Sequence, residues 1–288
     1  MTVTLITGCS TGIGQVTALH LARQGHHVFA SMRNPATGSA PLIQAAQDEA
    51  LRLDVIQLDV NDPLSSERAV NLILEQAGQL DVLVNNAGIS GGGPVEDAPE
   101  EVLRAVFETN FFGPMRLMRL VVPKMRQAQR GAIVNVTSIM GRITLPGLAS
   151  YGASKHALEV ASETLAMEVR RFNIRVAIIE PGVIQTPHHE GPRRELDPNS
   201  PYHEFFLRAR RATDSRLKDP SPPELVAETI QHALETDQPK LRYLVGDDAK
   251  GWAAGREAMT DEEWVAHGRE MTLDEYAAFS LAKFGIEI

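Results

Sequence analysis

The chain has a single cysteine, Cys9, in 288 residues. No internal disulfide can form, which fits a reducing compartment, and a cytoplasmic location is the expectation. Basic residues are outnumbered: 28 Lys and Arg stand against 37 Asp and Glu, for a net charge of −9. That balance argues against a general nucleic-acid binder or a protein held on anionic membranes, since both need a basic surface. No window approaches 18 apolar residues, so no membrane span is expected. The opening MTVTLITG lacks the charged segment, apolar core and small-residue cleavage site of a secretory leader, and none is predicted. Internal repeats and low-complexity linkers are missing as well. His188 and His189 are adjacent and would point apart in either a helix or a strand. Too few other ligands can be assembled around them, so no metal is expected.

What is present is an ordinary globular composition, 43 % apolar and 23 % charged, in a chain long enough to bury a sizeable core. Short β-branched runs occur at Val3–Thr7, His27–Ser31, Val55–Leu58, Val82–Asn85, Ala132–Thr137, Arg175–Ile179 and Arg242–Val245. Several are apolar throughout, as strands buried on both faces are. Helical patterns lie between them, over about 13–24, 64–77, 99–127, 150–172 and 223–236. The alternation predicts an α/β fold: a doubly wound parallel sheet of about seven strands with helices on both faces, in one domain spanning 1–288. Regularity stops between about 187 and 222, a stretch holding Pro187, Pro192, Pro198, Pro201, Pro220 and Pro222. An irregular insertion of that length reads as a lid or binding loop. The tail after Gly246 is acidic, and Thr260–Glu263 and Thr272–Glu275 have the form of capping boxes for two short helices.

Strand one runs into TGCSTGIG, residues 7–14, with glycines at Gly8, Gly12 and Gly14. Glycine permits the positive φ or close backbone approach of a tight strand-to-helix turn. The helix start beyond it offers free N–H groups and a positive dipole end, suited to a phosphate. A glycine-rich turn with no ligand is the alternative. The position, after the first strand of an alternating pattern, favours a dinucleotide, although the spacing is not GxGxxG. Strand two ends in Ala30-Ser31-Met32-Arg33-Asn34, with no acid to accept from a ribose 2′-hydroxyl before Asp48. Arg33 can fork onto a 2′-phosphate, with Ser31 and Thr11 as further donors, so NADP(H) is expected over NAD(H).

The stretch YGASK sets Tyr151 one helical turn before Lys155. A free phenol titrates near 10, too high for a base at neutral pH, and an adjacent ammonium favours the phenolate. Ser138 falls at the C-terminal end of strand five, the sheet edge where ligands bind, and can hydrogen-bond a carbonyl oxygen as charge develops there. On helix 99–127, Asn110 is a polar residue in an apolar stripe. Pro114 has no N–H to give to the Asn110 carbonyl, which is left free to hold a water. A kinked helix with a satisfied core amide is the other reading.

TGxxxGxG, the Asn85-Asn86-Ala87-Gly88 run, a serine before YxxxK, and Pro181-Gly182 together resemble the short-chain dehydrogenase/reductase family, over roughly residues 3–186 and the strand near 242. The resemblance implies a Rossmann-like fold in which Tyr151 is the acid/base, Lys155 lowers its pKa and holds the ribose, Ser138 orients the substrate carbonyl, and Asn110 carries a proton relay through water. It implies cofactor contacts from Gly8, Ser10, Thr11, Gly12, Ile13, Gly14 and Arg33, and an adenine contact from Asp59 beside Val60. Asn86, Ala87 and Gly88 would line the cofactor, with Asn85 supporting the sheet. Pro181, Gly182, Val183, Ile184 and Thr186 would face the nicotinamide carboxamide. The activity implied is NADP(H)-dependent interconversion of an alcohol and a carbonyl on a small molecule. The pocket would be shaped by Ser90–Pro94, Ile139–Pro146 and the insertion, where Phe205, Phe206 and Leu207 suit an apolar substrate. GCSTGIG and ASMRN are also similar to 17β-hydroxysteroid and retinol dehydrogenases, which hints at a bulky lipophilic substrate. A sensor without chemistry and a nucleotide-sugar epimerase or dehydratase are the competing classes. Ala149, Ala153, Ala157 and Ala161 form a small-residue ridge that packs either on the sheet or, as in the family, in a homodimer. The run Arg208-Ala209-Arg210-Arg211 reads as a solvated helix face, and Cys9 as a small filler.

Overall fold

The computed structural model describes residues 1–187, 198–269 and 271–287. Seven strands are present among the described residues: β1 Val3–Ile6, β2 His27–Met32, β3 Leu53–Gln57, β4 Val82–Asn85, β5 Gly131–Val136, β6 Ile174–Pro181 and β7 Arg242–Val245. They pair in the order β3-β2-β1-β4-β5-β6-β7, every neighbour parallel. The strand order reverses between β1 and β4, so their C-terminal ends open the crevice in which such sheets bind ligands.

Helices α1 Gly12–Arg23, α2 Pro35–Gly38, α3 Ala40–Asp48, α4 Pro63–Ala77, α5 Glu100–Phe107, α6 Gly113–Ala128 and α7 Ala149–Val169 connect the first six strands. Helices α8 His203–Arg216, α9 Pro223–Glu235, α10 Asp247–Glu257, α11 Asp261–Val265 and α12 Leu273–Phe284 follow. The side-chain alternation of a strand distributes the sheet between two cores. Ile6, Val28 and Val134 pack on one face with Leu21 of α1 and Ile230 of α9. Leu5, Phe29 and Ile133 pack on the other with Ile73 of α4, Val121 of α6 and Leu158 of α7. This is the doubly wound sheet expected from the alternating runs, and the Rossmann-like arrangement that the family resemblance implies. A third apolar cluster lies beyond the sheet edge. There Trp252, Trp264 and Phe284 of the C-terminal helices close on Ile139, Met140 and Ile143 after β5.

Three local expectations change. The helix expected over 99–127 is interrupted: α5 and α6 are joined by a π-helical turn, Glu108–Phe112, in which the Gly113 N–H reaches back to the Glu108 carbonyl. Pro114 has no N–H to place in an α-helical bond, and a widened turn accommodates that loss. The 187–222 segment is not irregular throughout, because residues 203–216 form α8. Its prolines all fall outside that helix, leaving 202–219 free of breakers. Strand β3 begins two residues before the predicted Val55, at Leu53. Both capping boxes form as read: the Thr260 and Thr272 side chains accept the N–H of Glu263 and Glu275, and each glutamate answers the cap residue's backbone.

Candidate active site

The glycine loop is tied to the loop after β4. Gly8 has φ +73°, and a Cβ there would stand 2.9 Å from the Ala87 Cα. A Cβ on Gly14 would stand 2.3 Å from the Gly8 carbonyl oxygen. The Asn86 side chain donates to the Thr7 and Gly8 carbonyls at 2.9 and 3.3 Å. The Thr7 hydroxyl accepts the Asn86 and Ala87 N–H groups, both at 2.9 Å. Thr7 was not singled out in the sequence, since nothing in TG separates a loop brace from a strand residue. Gly14 is a packing position beneath the loop and does not reach the cavity wall. Gly8, Ser10, Thr11, Gly12 and Ile13 do. Thr11 occupies the α1 N-cap without a side-chain bond to it, and the first turn carries no acid. The helix start thus has no internal anion, which fits a phosphate.

One cavity of about 1590 Å³ runs from this loop across the C-terminal ends of the strands. At one end Arg33 is exposed on its rim, with no ion pair among the described residues. Met32 is buried in the wall beside it. Ser31 differs from expectation: it is fully buried and donates to the Ile6 carbonyl at 2.9 Å, on the sheet side of β2 rather than in the cavity. Asp59 and Val60 line the cavity, the Asp59 carboxylate accepting the Asn61 N–H at 3.0 Å. Asp62, not Asp59, caps α4. Ala87 and Gly88 form the floor. Asn85 lies beneath, bonded to Asn135 within the sheet.

Ser138, Tyr151 and Lys155 meet in the middle of the cavity. Ser138 lies two residues past the end of β5, in extended backbone; its hydroxyl accepts the Met140 N–H at 3.2 Å and donates to the Pro181 carbonyl at 3.4 Å. Lys155 is buried and donates to the Val136 carbonyl at 3.0 Å, with its nitrogen 5.7 Å from the Tyr151 ring centre. Burial lowers the Lys155 pKa to about 8, against the opposing charge of Glu159. Burial also raises the Tyr151 phenol above its ordinary value, and the Ser138 hydroxyl works the other way. The expected lowering of the phenol is therefore not present in the chain alone: desolvation outweighs the neighbouring groups. The Glu159 carboxylate accepts from the Thr137 hydroxyl at 2.7 Å and from Arg242 at 2.9 Å, one helical turn behind Lys155.

Asn110 is fully buried behind this group and outside the cavity wall. Its amide accepts the Ile89 N–H and donates to the Ile89 carbonyl, both at 2.9 Å, and donates to the Ser154 hydroxyl at 3.1 Å. The side chain is thus a satisfied brace between the β4 loop and α7.

Pro181, Gly182, Val183, Ile184 and Thr186 line the same cavity, Pro181 next to Ser138. Away from the glycine loop the wall is mixed: His203, Arg208, Arg210 and Arg216 line it together with the apolar Met140, Ile143, Leu148, Phe206, Trp252 and Phe284. The last two belong to the tail, whose place at the site the sequence did not indicate. Arg208 also departs from expectation. It is buried, donating to the Met271 and Arg269 carbonyls at 2.6 and 3.2 Å, while Arg210 and Arg211 remain on the solvated face. Cys9 is buried, its thiol pushed up to about 12 by desolvation. His188 and His189 lie outside the described residues. No cluster of metal-binding side chains occurs among the described ones.

Comparison with known proteins agrees with this geometry. Residues 2–197 match the short chain dehydrogenase family. A 3-ketodihydrosphingosine reductase of Bacteroides thetaiotaomicron is 35 % identical over 85 % of this chain and 87 % of its own length. Retinol dehydrogenase 8 of Bos taurus is 37 % identical over 83 % of this chain and 79 % of its own. The crystal structure of a short-chain dehydrogenase from Streptomyces avermitilis superposes with a TM-score of 0.80 at 33 % identity, covering 94 % of this chain and 98 % of that one. The chain belongs to the short-chain dehydrogenase family, whose members are NAD(P)-dependent oxidoreductases.

Proposed function

We propose that this short-chain dehydrogenase interconverts a lipophilic ketone or aldehyde and its alcohol, using NADP(H) in preference to NAD(H). The observation that carries the reading is the continuity of the cavity. The glycine loop and Arg33, which has no ion pair among the described residues, share one cavity with Ser138, Tyr151 and Lys155 and with a chamber in which Met140, Ile143, Phe206, Trp252 and Phe284 lie beside Arg208 and Arg216. Relatives named for a ketosphingoid base and for retinol support a lipophilic substrate.

In this reading Gly8, Ser10, Thr11, Gly12 and Ile13 hold the diphosphate and Arg33 the 2′-phosphate. Asp59 and Val60 flank the adenine, and Asn86, Ala87 and Gly88 lie along the ribose and its neighbours. Lys155 holds the ribose nearer the reaction, and the turn at Pro181, Gly182, Val183, Ile184 and Thr186 faces the carboxamide. The reduced nicotinamide supplies a hydride. Ser138 donates a hydrogen bond to the carbonyl oxygen as negative charge develops there. Tyr151 gives that oxygen its proton. Burial raises the phenol above its ordinary value, so it carries its proton at neutral pH and can act as the donor. Asn110 acts by fixing Gly88–Ile89 against α7, with its backbone carbonyl as the candidate water site of a relay.

A homodimer is part of the proposal. Ala149 and Ala153 are exposed on α7, and Val160 and Met167 on the same helix are 67 % and 70 % exposed. Such a face is suited to a second copy. A cytoplasmic location fits the lone, unpaired thiol. No described helix is long and apolar enough to cross a membrane.

The test is loss of nicotinamide absorbance with NADPH and NADH across steroid ketones, retinal, long-chain ketones and short aldehydes, with Tyr151→Phe as the blank. Tyrosine-dependent NADPH consumption on the bulky carbonyls is the expected result. Consumption confined to short aldehydes would refute the lipophilic reading. A Tyr151→Phe enzyme of full activity would refute the mechanism.

A further inference from the structure

Asp248 stands 65 positions from Val183 in the chain, yet its carboxylate is built into the turn that begins at Pro181. It is the second residue of α10 and 3 % exposed. Its Oδ2 accepts the Val183 N–H at 2.7 Å. A Cβ on Gly182 would stand 2.3 Å from Oδ1, and one on Gly246 would stand 2.6 Å from it. Both glycines make room for the same oxygen. The preceding N–H, that of Gly182, donates to the Val245 carbonyl at 2.9 Å, so two successive N–H groups are held by the β7–α10 junction. On the far side, the Ser221 N–H donates to the Val183 carbonyl at 3.2 Å, and the Gln185 N–H donates to the Ser221 carbonyl at 2.9 Å.

An acid in the first turn of a helix serves the dipole from the surface. The neighbouring Asp247 does so, side chain exposed and paired with Lys250 at 2.9 Å. Burying a carboxylate is costly unless its hydrogen bonds compensate, so the inward position of Asp248 calls for its partner in the turn. One helical turn further on, at the i+4 position, α10 carries Trp252, which lines the substrate side of the cavity. One helix thus holds the turn with one residue and the substrate wall with another.

We propose that Asp248 is a positioning residue for the nicotinamide end of the cofactor, and that α10 couples this turn to the substrate wall. The proposal rests on the reading of residues 181–186 as the nicotinamide contact. Asp248 also lines the cavity, but in this role it acts through the Val183 N–H and not by contact with reacting atoms or substrate.

The experiment compares wild type, Asp248→Ala and Asp248→Asn by fluorescence titration with two probes: NADPH, and 2′,5′-ADP, which carries the adenosine end without nicotinamide. Asp248→Ala should weaken NADPH about 10- to 100-fold, the worth of one hydrogen bond to a charged group, while 2′,5′-ADP stays within about twofold. Asp248→Asn keeps an acceptor oxygen in place and should recover most of the loss. Equal weakening of both probes would mean a general structural role and would overturn the proposal. Unchanged NADPH affinity in Asp248→Ala, or an asparagine no better than alanine, would overturn it too. A wild type that binds 2′,5′-ADP but not NADPH would remove the nicotinamide assignment on which it stands. A wild type that binds neither probe would refute the NADP(H) reading itself.

Discussion

Replacing Asn110 by leucine tests whether its amide is a structural brace. Leucine is close in size, so the change removes hydrogen bonds more than volume. Two of the three partners are backbone groups of one residue, the Ile89 N–H and carbonyl, and the third is Ser154. Ser154 keeps its bond to the Tyr151 carbonyl at 2.7 Å and is not stranded. The two Ile89 groups are. A buried polar group left unpaired costs about 1–3 kcal/mol; the Ile89 groups are part-buried at the cavity wall, so each sits at the low end and Asn110→Leu should lose roughly 2 kcal/mol. For a chain of this size that is a fall in Tm of roughly 4–8 °C. Differential scanning calorimetry reads the loss. Steady-state kinetics reads its second consequence, because a Cβ on Gly88 would stand 3.3 Å from the Asn110 oxygen and 3.6 Å from the Lys155 nitrogen. A loosened β4 loop therefore moves the floor beneath Lys155, and turnover should drop along with Tm. A variant melting within about 2 °C of wild type would refute the brace, since the two stranded groups predict more. Lowered turnover without lowered stability would instead return weight to the water relay.

Other perturbations address the remaining assignments. Met32→Asp should move cofactor preference toward NADH by about 10-fold or more, as a carboxylate beside Arg33 repels a 2′-phosphate and accepts from a 2′-hydroxyl; equal NADPH and NADH affinities in the wild type would contradict the premise. Lys155 titrates at about 8, so it is charged below that pH and neutral above it. The rate of carbonyl reduction should accordingly fall as pH rises through about 8, and a rate flat to pH 10 would show that the lysine charge is not needed. Gly14→Ala places a Cβ 2.3 Å from the Gly8 carbonyl oxygen and should displace the loop, weakening dinucleotide binding severely in a calorimetric titration. Wild-type affinity in that variant would exclude the packing role.

The sheet was legible because its signals are local. β-branched runs mark strands, glycine and proline mark their ends, and the two periods distinguish strand from helix. The central group was legible because Tyr151 and Lys155 share one helix and Ser138 sits at a strand end. The residues that were missed act across long separations. Asp248 reads in sequence as an ordinary acidic start to a helix, and only the fold brings it to Val183. Arg208 belongs to a basic run, and burial by a tail more than 60 residues away is invisible in the run itself. Helix α8 was hidden by counting prolines across the whole insertion, when none falls inside it. The phenol of Tyr151 illustrates a different limit: Ser138 and Lys155 do lie beside it, but the sign of its shift depends on how dry the site is.

The third apolar cluster sets an order in time. The glycine loop at residues 8–14 is made 270 residues before Phe284, which lines the same cavity. At translation rates of about 5–20 residues per second, that interval is roughly 14–54 s. Ile143 is made 109 residues before Trp252 and 141 before Phe284, so for the later part of that interval Ile139, Met140 and Ile143 lack one or both of the residues that cover them. The nascent protein therefore displays an uncapped greasy chamber beside an already folding sheet, and that is the surface a chaperone would meet first.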